Sequence, residues 1–281
     1  MNNIKKPIII SGIPRSGTTA LGRILSSIEG FSMIYEPFNL NQGIKDIQFN
    51  YPYPGKNISV KQFQSIFNNL IQFRSSFKKG YLKNDSTAKR IFKTFFGNES
   101  SLSYFKAKKS LSTNQLLIKD PFLLFSSKEL CLNHKVIICY RPLMPLAASF
   151  KRMKWDFKEF ENLINFFPQN SIKSLRFKAC DKISSNVVGA IQFYELFYNY
   201  INSINPNKNL YFFSQQEFST NPIEEITNVF KWLELEVSDK IIQLSQSLNK
   251  GKSSQIHFPV KSIQHDPKYN KKYSNEYYKL V

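Results

Sequence analysis

Cysteine, histidine and acidic residues are scarce in this sequence. Only three cysteines and three histidines occur among 281 residues, and neither set has the spacing of a metal site, so we expect no bound metal. So few cysteines argue against structural disulfides and for a reducing compartment. Aspartate and glutamate number 20 against 39 lysines and arginines, a formal net charge of +19. This charge favours anionic partners, including phosphorylated nucleotides and anionic surfaces, but by itself it selects no function.

Long hydrophobic runs are also missing. No stretch approaches the roughly 20 apolar residues of a membrane span, and the apolar run at 7–10 is too short for the core of a secretory signal. We therefore predict a cytoplasmic protein. Hydrophobic residues make up 42% of the chain and charged residues 21%. These proportions are typical of a globular protein.

Short apolar runs alternate with helical patterns, which is typical of a parallel sheet with crossover helices. The predicted strands are 7–11, Phe31–Tyr35, Gln115–Lys119, 135–140 and 209–213. The clearest helical patterns lie at 183–201 and 222–233.

Residues 42–114 interrupt this alternation, which resumes after them. Two helices rich in lysine and phenylalanine are predicted there, at 60–77 and 87–96. We interpret 42–114 as a helical insertion or cap within a single domain that spans residues 1–281. The predicted fold class is therefore α/β, with a central parallel sheet and a helical insertion.

A glycine-bearing loop follows the first predicted strand. The residues from Gly12 to Thr19 read Gly-Ile-Pro-Arg-Ser-Gly-Thr-Thr and precede a helical pattern. A strand, such a loop and a helix direct backbone N–H groups at an anion, which predicts a P-loop NTPase-like three-layer fold. The two glycines have Walker A spacing, but Thr18 occupies the position of the obligatory lysine, and the cation is Arg15.

This loop alone leaves three functions open. A P-loop kinase or nucleotide hydrolase is one alternative, although such enzymes neutralise phosphate charge with the missing lysine and Mg²⁺. A basic nucleic-acid-binding module is another, although no nucleic-acid-binding motif is recognisable and we expect no nucleic-acid partner. The third follows from a resemblance.

The segment from Pro14 to Thr19 resembles the 5′-phosphosulfate loop of the sulfotransferases, particularly the bacterial carbohydrate-type and tyrosylprotein enzymes. The resemblance implies that the donor is 3′-phosphoadenosine 5′-phosphosulfate (PAPS), held without a metal ion. The residues that it assigns to donor binding are Pro14, Arg15, Ser16, Gly17, Thr18, Thr19, Arg141 and Ser149. It also places a basic stretch at 251–272 where the family often closes a loop over PAPS.

Arg141 and Ser149, the last two of the residues assigned to donor binding, form a motif of their own. Arg141 follows the strand predicted at 135–140, and Ser149 lies eight positions later, as in the family's 3′-phosphate motif. A guanidinium and a hydroxyl can hold one phosphate from two sides. This sequence departs from the family just after the arginine, where Pro142 replaces the usual acidic or polar residue, and this puts the path of the loop in doubt.

Two further motifs follow predicted strands and carry the implied catalytic residues. The resemblance assigns Glu36, in the tripeptide Tyr-Glu-Pro, as the general base on the acceptor hydroxyl. It places Lys119, in the tetrapeptide Lys-Asp-Pro-Phe, in contact with the transferring group. We assign Lys119 and Arg15 to charge stabilisation in the transition state. Asp120 has three open roles, which are to orient Lys119, to cap the next helix or to act as a second base.

All four motifs follow predicted strands, whose carboxyl ends line one edge of an open α/β sheet. With these roles, the resemblance implies in-line transfer of a sulfuryl group from PAPS to an acceptor hydroxyl. A glycan or glycolipid hydroxyl is the preferred acceptor, and a protein tyrosine remains open.

Overall fold

The computed structural model describes residues 5–80, 86–87, 97–155, 161–167 and 185–249. Its central feature is a five-stranded parallel sheet with the order β2-β3-β1-β4-β5. The strands are β1 (Lys5–Gly12), β2 (Phe31–Tyr35), β3 (Gln115–Lys119), β4 (Val136–Tyr140) and β5 (Leu210–Ser214). Their ends differ from the predicted ones by two residues at most, and the predicted α/β fold with a parallel sheet is confirmed.

The central strands are apolar because both of their faces are covered. All five residues of β3 are buried, and the β1 residues Ile9 and Ile10 are fully inaccessible to solvent. The parallel register pairs Lys119 with Tyr35 on one side and with Ile10 on the other. The carboxyl ends of β1, β2 and β3 therefore lie at one edge of the sheet.

The chain forms two compact units. The first comprises Met1–Cys139 and Asn207–Phe213, and the second comprises Tyr140–Pro206 and Ser214–Val281. Besides the strands, the described part of the first unit contains α1 (Thr18–Ser26), α2 (Val60–Ile71), α3 (Glu99–Lys109), a 3₁₀ helix (Pro121–Ser126) and α4 (Ser127–Leu130). The single domain over residues 1–281 stays a prediction.

The first helix of the predicted insertion ends earlier than expected. Helix α2 begins at Val60, as predicted, but it stops at Ile71 rather than at residue 77. Phe73 then adopts a left-handed backbone conformation, with φ at 56°, which a continuing right-handed helix does not allow. The helix predicted at 87–96 falls mainly outside the described residues.

Helix α3 is absent from the sequence-based predictions. Its buried face consists of Ser100, Ser101, Tyr104 and Ala107, which gives no apolar stripe for a periodicity argument to detect. Its start does carry a local signal, because the side chains and backbones of Asn98 and Ser101 form a reciprocal capping box. Lysines in its last turn complement the helix dipole.

The second unit is helical in its described part. Its helices are α5 (Leu143–Met153), α6 (Glu161–Ile164), α7 (Ser185–Asn202), α8 (Gln215–Thr220), α9 (Pro222–Leu233) and α10 (Asp239–Asn249). Helix α9 has the predicted bounds, with proline at its first position. Phe150 of α5 packs near Phe193 of α7, with ring centroids 6.4 Å apart. Among the described helices, none combines the length and apolar composition that crossing a membrane requires.

Candidate active site

The loop between β1 and α1 is fastened to the neighbouring strand β4. Gly12 has φ at 139°, and a Cβ atom there would lie 2.0 Å from the carbonyl oxygen of Cys139. Only glycine allows this approach. The Ile13 amide then donates to the same carbonyl at 3.0 Å, so the loop leaves the sheet at a fixed point.

The N-terminus of α1, directly after the loop, is suited to binding an anion. Gly17, with φ at 93°, is the N-cap residue of α1 and supplies no side-chain cap, and the first turn contains no acidic residue. Unsatisfied N–H groups and the positive end of the helix dipole therefore meet at Thr18 and Thr19. Arg15, half-buried, has a left-handed backbone with φ at 71°.

The hydroxyl of Ser16, a residue that the resemblance assigns to donor binding, forms hydrogen bonds with the protein backbone. The residue is fully buried, and its hydroxyl donates to the carbonyl oxygens of Cys139, at 2.8 Å, and of Ile13. In this arrangement the side chain stabilises the loop rather than facing solvent.

Glu36 and Lys119 form an ion pair at the ends of the adjacent strands β2 and β3. Lys119 Nζ lies 2.6 Å from Glu36 Oε1, and the two side chains are 2% and 19% exposed. Asn39 Nδ2 donates to the other carboxylate oxygen, Glu36 Oε2, at 3.2 Å. The Glu36 amide donates to the Lys119 carbonyl at 2.8 Å, and Glu36 has φ at 45°. A non-glycine residue in this region is uncommon and marks a functional candidate.

The buried ammonium of Lys119 is held from several sides. Gly22 of α1 lies against its aliphatic stem, since a Cβ on Gly22 would come within 3.3 Å of Lys119 Cγ. The ammonium lies 4.2 Å from the ring centroid of Tyr35. Burial alone would lower the pKa of Lys119, but Glu36 and Tyr35 outweigh it, and the net pKa is raised. Lys119 is therefore a cation at neutral pH.

Asp120 is fully buried, and both of its oxygens accept hydrogen bonds from backbone amides. Oδ2 accepts from Phe38 at 2.5 Å and Oδ1 from Phe122 at 2.9 Å. Burial, followed by the nearby Glu36 carboxylate, raises the pKa of Asp120 to about 8. Of its three open roles, the structure supports capping of the 3₁₀ helix. Its burial gives no support to a role as second base.

Glu99 is a site residue that the sequence reasoning missed. It occupies the first turn of α3, and this turn is bonded to the Glu36 segment because Ser100 Oγ donates to the Glu36 carbonyl at 3.2 Å. Partial burial and the Glu36 carboxylate raise the pKa of Glu99, while Lys119 and Arg23 oppose the shift. The insertion thus brings a second carboxylate close to the Glu36–Lys119 pair.

Arg141 and Ser149 belong to the second unit. Arg141 directly follows β4, and Ser149 lies inside α5, whose N-cap residue is Pro142. Both are buried, with 5% and 4% exposure. Trp155, which follows α5, is 37% exposed and packs edge-on against Phe150, with ring centroids 5.7 Å apart. The basic stretch at 251–272 lies outside the described residues.

Comparison with known proteins gives a family. A model of the sulfotransferase domain matches residues 5–279, which is nearly the whole chain. The chain belongs to the sulfotransferase family. It is therefore an enzyme that transfers a sulfuryl group from PAPS to an acceptor hydroxyl, which is the third of the functions that the sequence left open.

Solved structures of other sulfotransferases are similar to this one, at low identity. Sulfotransferase STF9 from Mycobacterium avium is 10% identical with a TM-score of 0.41, and the match covers 99% of this chain and 77% of that one. The sulfotransferase domain from the curacin biosynthetic pathway is 14% identical with a TM-score of 0.44, covering 99% of both chains. A sulfotransferase from Alicyclobacillus acidocaldarius is 12% identical with a TM-score of 0.40, covering 89% and 93%. No curated protein sequence matches this chain significantly.

The described site residues of the first unit fit the donor of this family. PAPS carries phosphate and sulfate charges, which suit the uncapped, acid-free start of α1. The charged Lys119 ammonium adds a cation at the same edge of the sheet.

Proposed function

We propose that this sulfotransferase acts on a hydroxyl of a glycan or glycolipid, with Glu36 as the general base. The single observation that carries the proposal is the Glu36–Lys119 pair, with 2.6 Å between Nζ and Oε1, at the ends of two neighbouring strands. The pair combines a proton acceptor and a fixed cation, the two groups that this reaction requires.

Glu36 provides the proton acceptor. An alcohol is a weak nucleophile near neutral pH, so removing its proton as the bond to sulfur forms lowers the barrier. Lys119 occupies Oε1, and the acceptor hydroxyl therefore donates to Oε2, beside Asn39. The left-handed backbone of Glu36, and the hydrogen bond from its backbone amide to the Lys119 carbonyl, fix this carboxylate relative to β3.

Lys119 provides charge stabilisation, together with Arg15. PAPS supplies an activated sulfuryl group and a phosphate leaving group, on which negative charge grows as the S–O bond breaks. When Glu36 takes the acceptor proton, its own negative charge is neutralised. The Lys119 ammonium then loses its counter-ion and interacts more strongly with the departing phosphate. Proton removal and leaving-group stabilisation are thereby linked.

Donor binding uses the loop and the arginine–serine motif. The amides of Thr18 and Thr19 bind the 5′-phosphate, and Ser16 holds the loop in shape through its bonds to backbone carbonyls. Arg141 and Ser149 bind the 3′-phosphate, in line with their burial and their placement at a strand end and in the following helix.

The surroundings of Glu36 support a neutral, hydroxyl-rich acceptor. Asn39 and Glu99 offer an amide and a carboxylate near the base, and such groups form hydrogen bonds with sugar hydroxyls. The Glu99 carboxylate also repels an acidic acceptor, such as a tyrosine in an acidic peptide.

An acceptor screen tests this proposal. Purified enzyme receives [³⁵S]PAPS and a panel of neutral glycans, glycolipids, tyrosine peptides and simple alcohols. We expect label on glycans or glycolipids and at least a hundredfold loss of transfer in Glu36→Gln. Transfer to tyrosine peptides alone would overturn the acceptor class, and full activity of the variant would overturn the base.

A further inference from the structure

The geometry points to Tyr35 as a positioning residue, whose ring holds the Lys119 ammonium in place for sulfuryl transfer. This inference rests on the role proposed for Lys119 and adds a residue to that site. Tyr35 is the last residue of β2, and the parallel register sets it directly beside Lys119, the last residue of β3. Side chains at paired positions of adjacent strands project from the same face of the sheet.

The contact between these two residues is a cation–π interaction. The Lys119 ammonium lies 4.2 Å from the centroid of the Tyr35 ring, within the distance at which a ring face attracts a cation. Because Lys119 is 2% exposed, little water competes for the ammonium, and the interaction is stronger than on a surface. Burial raises the pKa of the Tyr35 phenol, so the ring remains neutral at neutral pH.

The Tyr35 ring keeps its contact with Lys119 throughout the reaction, because the ring does not change its charge during sulfuryl transfer. Glu36 is neutralised when it takes the acceptor proton, and at that moment the ion pair no longer fixes the ammonium. The Tyr35 ring and the stem contact with Gly22 remain. They keep Nζ from relaxing away from the departing phosphate during the step in which its charge is needed.

Tyr35 is itself fixed from two directions. Its amide donates to Ser103 Oγ of helix α3 at 2.9 Å, which ties the end of β2 to the insertion. Its phenol interacts with the side chain of Thr19, in the loop proposed to bind the donor. The backbone of Tyr35 is therefore tied to the insertion, and its phenol contacts the donor loop.

Three substitutions separate this role from simple packing. Tyr35→Leu removes the ring, and we expect kcat to fall about 5- to 30-fold. Tyr35→Phe keeps the ring and should recover most of this loss. Ile34→Val, at the neighbouring fully buried position of β2, is the matched control and should leave kcat unchanged. The measurement is single-turnover transfer from [³⁵S]PAPS to the acceptor found in the screen.

A double-mutant cycle identifies the group through which Tyr35 acts. In a Lys119→Met background, Tyr35→Leu should cause no further loss of kcat, because the ammonium that the ring holds is gone. Equal losses in both backgrounds would overturn the inference, and so would wild-type kcat in Tyr35→Leu. If Lys119→Met alone kept full kcat, the proposed role of Lys119 would fail, and this inference would fail with it.

An NMR measurement without substrate tests the contact itself. The ring should shift the Lys119 Cε protons upfield, with the signal assigned by its disappearance in Lys119→Met. We expect the shift to persist in Tyr35→Phe and to vanish in Tyr35→Leu, with calorimetry showing unchanged affinity for adenosine 3′,5′-bisphosphate in both. An unshifted Lys119 signal in the wild type would overturn the inference.

Discussion

Replacing Glu36 with glutamine removes one negative charge and keeps the size of the side chain. In the wild type, the Lys119 ammonium is 2% exposed and lies 2.6 Å from this carboxylate. Removing one partner of a buried ion pair costs about 3–5 kcal/mol. Because Glu36 is 19% exposed, solvent screens part of this interaction, and we expect a loss of about 2–3 kcal/mol in the free energy of unfolding.

The pH dependence of this loss is its distinctive feature. In the wild type the pKa of Lys119 is raised, so its stabilising contribution is complete below the ordinary value of about 10.4 and is lost only at higher pH. In Glu36→Gln the carboxylate that most strongly opposes burial is gone, and we expect burial to lower the pKa of Lys119 below that value. Between this lowered pKa and the ordinary one, the unfolded state binds more protons at Lys119 than the folded state does. The free energy of unfolding of the variant therefore rises with pH in that range.

Urea unfolding at pH 8.5 and pH 10 measures this effect. Both conditions lie above the pKa of Asp120, about 8, so most of its titration is complete at the lower pH. We expect the stability gap between wild type and Glu36→Gln to narrow at pH 10. Glu29→Gln, at an exposed position between α1 and β2, is the control and should show a small, constant difference. A gap of equal size at both pH values would refute the reasoning about the pair.

Three other substitutions test separate parts of the site. Lys119→Met should lower kcat about 10²- to 10³-fold, and calorimetry should find nearly wild-type affinity for adenosine 3′,5′-bisphosphate. A normal kcat would contradict the role of Lys119. Arg141→Ala should lower the affinity for adenosine 3′,5′-bisphosphate by about tenfold or more but leave the affinity for adenosine 5′-monophosphate unchanged. Equal losses for both ligands would contradict 3′-phosphate recognition by Arg141. Asp120→Ala should lower the free energy of unfolding in urea by about 2–3 kcal/mol, because two buried amides lose their acceptor, and a change near zero would show that water replaces it.

Much of the fold is predictable from this sequence because the strands are short apolar runs with clear ends. The bounds of β2 and β3 agree with the predicted ones. Glu36 directly follows β2 and Lys119 is the last residue of β3, so these strand ends place the pair. Helix α3 could not be predicted in this way, because serines, a tyrosine and an alanine form its buried face. Glu99, in its first turn, was missed for the same reason.

The direction of individual side chains is the other part that sequence patterns leave undetermined. Ser16 carries a hydroxyl in an anion-binding loop, and only the fold shows that it donates to backbone carbonyls. Asp120 had three plausible roles, and its bonds to the Phe38 and Phe122 amides depend on how two separate segments meet. The contact of Tyr35 with Lys119 depends on strand register, which neither strand specifies alone.

The most direct test of the central claim is a crystal structure of the enzyme with adenosine 3′,5′-bisphosphate. We predict the 5′-phosphate on the amides of Thr18 and Thr19, the 3′-phosphate on Arg141 and Ser149, and Lys119 Nζ beside the 5′-phosphate oxygen that would carry the sulfuryl group. A nucleotide bound away from the start of α1, or with its 3′-phosphate far from Arg141, would contradict the proposed site.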